Sequence, residues 1–138
     1  MHTPISNQHP THHGSVRIRP AIVLFGDSIT QQGFGVDGKV GWASLLASDY
    51  SRRADVLNRG FSGYNTKMAI DLLPSIFPGA SDDKENGILF CTIFFGANDA
   101  ALPGERQHVP IDDYAKNLGT IISSIRYVRM TSWGGVCR

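Results

Sequence analysis

The sequence predicts an α/β fold built on a parallel sheet, and three observations carry that expectation. Short runs of strand-forming residues stand at Ala21–Phe25, Asp55–Asn58 and Ile88–Phe95. Segments with helical spacing of apolar residues follow each run, and strand–helix alternation implies right-handed crossovers between parallel strands. Each run also ends in a polar, glycine-bearing cluster: Gly26-Asp27-Ser28, then Arg59–Thr66, then Gly96-Ala97-Asn98-Asp99.

The elements follow in order. Residues 1–19 hold His2, His9, His12 and His13 among Pro, Thr, Asn and Gln, with no apolar stretch of signal-peptide type. A disordered N-terminal tail is expected there, a histidine-rich metal tract being the alternative. Pro20 opens Ala21-Ile22-Val23-Leu24-Phe25, apolar at every position and so buried on both faces. At the break that follows, Ser28 either projects into a crevice at the strand end or serves as a helix cap.

Gly33–Lys39 reads both as G-x-G-x-x-G and as G-x-x-x-x-G-K. Both patterns need glycines that leave a strand and open a helix, whereas this strand has ended at Phe25. Val40 also replaces the hydroxyl residue that a phosphate loop requires, so a flexible loop is expected, with nucleotide binding as the alternative.

Trp42, Leu45, Leu46, Asp49 and Tyr50 place a helix over about residues 41–52. After the second strand, Asn65 and Thr66 are helix-cap candidates. The next helix carries Met68, Ala69, Leu72 and Leu73 and is expected to bend or restart at Pro74, with polar loop from Pro78 to Asn86. Ile88–Phe95 is apolar at nearly every residue, which reads as a central strand. Ile111, Tyr114, Ala115, Leu118, Ile121, Ile122 and Ile125 then define the last helix.

Composition narrows the partners. A net charge of +1 carries no nucleic-acid or membrane-surface signal, and every apolar run is too short to span a bilayer. Cys91 and Cys137 make no disulfide framework, so reduced thiols and a cytoplasmic setting are expected.

Parallel strands would bring Ser28, Gly63 and Asn98 to one sheet edge, where ligands bind in α/β folds. A serine hydroxyl, two backbone N–H groups and a carboxamide there suit acyl transfer with a held oxyanion. The segments Gly26-Asp27-Ser28, Asn58–Gly63 and Gly96-Ala97-Asn98-Asp99 resemble the first three blocks of the SGNH, or GDSL-type, hydrolase family. His108-Val109-Pro110 and the run from Ala100 to Glu105 are similar to its isoamyl acetate-hydrolysing esterases. Thr30 takes the place of the second glycine of G-x-S-x-G, which sets the motif apart from the α/β-hydrolase elbow.

The resemblance implies a three-layer, flavodoxin-like α/β/α sandwich with strand order 2-1-3-4-5, of which only the first three strands are present. It implies Ser28 as nucleophile, Gly63 and Asn98 as oxyanion donors with Gly60 the competing glycine, and a small acetate or short-acyl ester as substrate. No cofactor and no metal enter this reading. Residues 20–126 would be the N-terminal part of the domain and 127–138 a divergent tail. The family's final Asp-x-x-His, source of the orienting acid and the base, has no match in the sequence. A truncated esterase of little activity is therefore expected, the alternative being an inactive fragment with a binding or regulatory role.

Overall fold

The computed structural model describes residues 19–77 and 87–132, with side chains through Arg126 in the last helix. The histidine-rich tail and the Pro78–Asn86 loop lie outside the described residues, as do residues 133–138.

Three parallel strands form the sheet: β1 (Ala21–Gly26), β4 (Asp55–Gly60) and β5 (Ile88–Phe94), in the order β4-β1-β5. In chain order of the three this is second-first-third, as the resemblance implied. Strand β1 is central, and every residue from Ile22 to Gly26 is buried. Its side chains divide the core by the alternation of a strand. Val23 and Phe25 face α3 (Thr66–Ile76) and α4 (Ile111–Ser132), packing with Ala69, Leu73, Phe77, Phe95 and Ile121. Ile22 and Leu24 face α2 (Trp42–Asp49), packing with Ala43 and Ala54. The result is three layers, helix on sheet on helix. Phe25 is the hub, meeting the rings of Phe61, Phe77 and Phe95 edge-on at 6.4, 5.7 and 4.9 Å between centroids.

The expectation that Ile88–Phe95 is central is corrected: β5 pairs with β1 alone among the described residues, and Leu89 and Phe94 are exposed. Its apolar character has another source. Phe90 packs toward α2, while Cys91 and Ile93 pack toward α4, so both faces are covered whatever lies alongside. Burial pushes the Cys91 thiol up to about 12, which keeps it protonated and unreactive near neutral pH.

Other differences are local. The glycine-rich stretch is a small antiparallel hairpin, β2 (Gly35–Val36) with β3 (Lys39–Val40), entered by a 3₁₀ turn at Gln32–Phe34. Asp37 and Gly38 take φ of 51° and 77°, the left-handed pair of a two-residue hairpin turn. These glycines join no strand to a helix, which removes the nucleotide-loop alternative. Pro74 does not restart α3, which runs unbroken from Thr66 to Ile76; its missing N–H removes one i→i−4 bond, and the helix ends two residues later. Helix α4 runs on to Ser132, beyond the boundary expected at residue 126, and Asp112 and Asp113 complement the dipole in its first turn.

A short helix, α1 (Ser28–Gln31), stands between the first two strand ends. It is bound to β4 from two sides. Asn58 Nδ2 donates to Thr30 O (2.7 Å), and Gln31 Oε1 accepts from the Ser62 N–H (2.6 Å). Gly60 lies so close that a Cβ there would stand 2.0 Å from the Gln31 nitrogen.

Two stability effects are expected. Phe25→Ala should cost about 3–5 kcal/mol by urea unfolding, because three aromatic neighbours lose their common partner; an unchanged midpoint would contradict this hub. Gly60→Ala must displace the backbone of α1 and should cost about 1–3 kcal/mol. A Gly60→Ala chain that melts with the wild type would show that α1 does not rest against β4.

Candidate active site

Register builds the site. Gly26 is opposite Gly60 in β4 and Phe94 in β5. The ladder continues one step further, with the Phe61 N–H donating to Gly26 O (2.8 Å) and the Asp27 N–H to Phe94 O (3.2 Å). Strands in a sheet lie about 4.8 Å apart. The chain therefore leaves three adjacent strand ends together, with Ser28 on the middle one.

Asp27 is the N-cap of α1, its carboxylate accepting from the Ile29 N–H (2.9 Å). Capping is thus assigned to Asp27, and Ser28 is released from the role that sequence reasoning held open for it. Ser28 occupies the first helical position, half-buried, and its hydroxyl and N–H have no partner among the described residues.

Gly60 and Gly63, the two candidate glycines, differ in their hydrogen bonds. The Gly60 N–H is engaged by Asn58 Oδ1 at 2.9 Å. The Gly63 N–H has no partner among the described residues. Gly63 takes φ of +79°, a conformation that glycine adopts freely. Asn98 Nδ2 gives one hydrogen to Tyr64 O (2.7 Å) and keeps the other. Gln107 joins the two, its Nε2 donating to Gly63 O (2.7 Å) and to Asn98 Oδ1 (3.2 Å). The structure thus brings Gly63 and Asn98 together through Gln107 and sets Ser28 on the same sheet edge.

Asp99 is buried and serves the scaffold. Its Oδ1 accepts from the N–H and hydroxyl of Thr66 at the start of α3, and Thr66 Oγ1 accepts from Asn117 Nδ2 (3.0 Å) in α4. Asn65, a cap candidate from sequence, caps α3 through the Met68 N–H (2.9 Å). His108, the sole histidine among the described residues, donates from Nδ1 to Ala101 O (2.6 Å) and so ties its loop together. A cavity of about 450 Å³ with mostly apolar walls is lined by Gly96, Asp99, Leu102, His108 and Tyr114 among others, and Ser28, Gly63 and Asn98 are not part of its wall.

Asn58, Gln31 and Gln107 carry the site's shape and were not singled out from sequence. Asn58 stands beside a glycine-punctuated turn, a weak local signal. Gln107 gives none, since its partners lie 44 and 9 residues away.

Residues 24–134 match the GDSL-like Lipase/Acylhydrolase family. A GDSL esterase/lipase of Arabidopsis thaliana is 51% identical over 112 residues, covering 79% of this chain and 44% of its own length. An isoamyl acetate-hydrolyzing esterase 1 homolog of Mus musculus is 48% identical over 120 residues, covering 83% of this chain and 45% of its own. The chain thus spans less than half the length of these relatives. Among solved structures, AlinE4, an SGNH-hydrolase family esterase, shares the fold at a TM-score of 0.59 and 21% identity, over 79% of this chain and 54% of that one. With a family match across most of its residues and relatives at about half identity, the chain belongs to the GDSL-like lipase/acylhydrolase family.

Proposed function

We propose that this chain carries the nucleophile and the oxyanion donors of a serine ester hydrolase acting on small acetate or short-acyl esters. One observation supports it above the others: the Ser28 N–H, the Gly63 N–H and the second hydrogen of Asn98 Nδ2 are all unspent on a single sheet edge. In the proposed reaction the Ser28 hydroxyl oxygen attacks the ester carbonyl carbon. The carbonyl oxygen becomes an oxyanion that accepts hydrogen bonds from those three donors. Collapse expels the alcohol, which takes a proton, and leaves an acyl-serine that water then cleaves. A relative described as an isoamyl acetate-hydrolyzing esterase homolog supports a short, apolar ester.

An unassisted hydroxyl is a weak nucleophile, and the sequence contains no Asp-x-x-His to serve as base. A second reading takes these 138 residues by themselves as binding an ester without turning it over. His108 is kept as a loop residue in both readings, its Nδ1–H bound to Ala101 O and its Nε2 left for the His108→Ala variant to test. A cytoplasmic setting belongs to the proposal as well, supported by the thiol of Cys91, which is free among the described residues.

A fluorophosphonate probe and p-nitrophenyl acetate test this together. The probe is expected to label Ser28 and nothing in Ser28→Ala. Asn98→Ala should slow labelling about 10²–10³-fold, the cost of one oxyanion donor. His108→Ala should leave the rate unchanged, and ester turnover should fall well below the ~10 s⁻¹ usual for enzymes. Labelling that survives Ser28→Ala would overturn the nucleophile. Fast turnover abolished by His108→Ala would make that histidine the base.

A further inference from the structure

We infer that Gln107 is a positioning residue that locks the Asn98 carboxamide in the one orientation that aims an N–H at the oxyanion. The inference rests on the assignment of Asn98 as an oxyanion donor. A carboxamide has two faces that differ only in which atom donates, and a half-turn about its last bond exchanges them. For Asn98 that half-turn is opposed at both ends. Its Oδ1 would meet the carbonyl of Tyr64, acceptor against acceptor, and its Nδ2 would meet Gln107 Nε2, donor against donor.

Gln107 is held against the same exchange. Both hydrogens of its Nε2 are used, on Gly63 O (2.7 Å) and Asn98 Oδ1 (3.2 Å), so a turned amide would set its oxygen against two acceptors. The backbone of Gln107 is held in turn, its carbonyl accepting from Asn65 Nδ2 at 3.0 Å. Asn65 is fixed by capping α3 through the Met68 N–H. Three carboxamides thus run in series from the start of a helix to the donor. The same Nε2 fastens the carbonyl of Gly63, so a single side chain sets two of the three donors relative to each other.

The test uses Gln107→Glu, which keeps the shape and reverses the donor, and Gln107→Met, which keeps the length and removes it. Fluorophosphonate labelling of Ser28 is resolved into a half-saturating concentration and a maximal rate. Loss of the clamp should lower the maximal rate on the order of ten- to a hundredfold and leave the half-saturating concentration unchanged. Thermal melting should stay near that of the wild type. Labelling of both variants at the wild-type rate would overturn the clamp alone. A wild-type chain that takes no label at Ser28 would overturn the serine-nucleophile reading, and the positioning role with it.

A second measurement reads the clamp in the wild-type chain. In the wild-type chain the Asn98 side-chain amide, assigned by its loss in Asn98→Asp, should show a ¹⁵N order parameter of about 0.85, as rigid as backbone. A value below about 0.6, that of a freely moving group, would overturn the clamp.

Discussion

The parallel register of β1 between β4 and β5 is the constraint on which the rest depends. Because Gly26 is opposite both Gly60 and Phe94, the chain must leave three strands at one level. The residues that follow are then neighbours whatever their separation in sequence. A shift of one residue in either pairing would reverse the faces of that strand and expose half its core side chains. The same hydrophobic burial that fixes Ile22 and Leu24 on one face and Val23 and Phe25 on the other thereby fixes the position of Ser28.

What register delivers only approximately, amide hydrogen bonds refine. Asn58 and Gln31 draw the helix of Ser28 against the second strand end, and Gln107 draws the second strand end to the third. Asp99 anchors the third to α3 and, through Thr66, to α4. Apart from that carboxylate, these partners are carboxamides, a hydroxyl and backbone groups. None of the carboxamides titrates, so their hydrogen bonds do not themselves depend on pH. In the proposed reaction, charge develops on an oxyanion facing unspent N–H groups.

Much of this was legible in the sequence, for definable reasons. Strand, helix and strand-end clusters follow from local apolar periodicity and glycine placement, and with them the place of Ser28 at a strand end, while the β4-β1-β5 order was implied by the family resemblance. The edge position of Ile88–Phe94 among the described strands could not be read, since apolar residues report covered faces and not lateral neighbours. Asp37-Gly38 is a local hairpin signal that two overlapping phosphate-loop patterns obscured. Gln107 was illegible on principle. Its role exists only through Gly63 and Asn98, which reach it through the fold and not along the chain.

The central claim is that Ser28, Gly63 and Asn98 converge on one reacting oxygen. A crystal structure of the chain carrying a phosphonate bound to Ser28 measures this directly. The account predicts one phosphonyl oxygen at about 2.7–3.1 Å from the nitrogens of Ser28 and Gly63 and from Asn98 Nδ2. A phosphonyl oxygen held by other groups, with the Gly63 and Asn98 donors turned elsewhere, would contradict it.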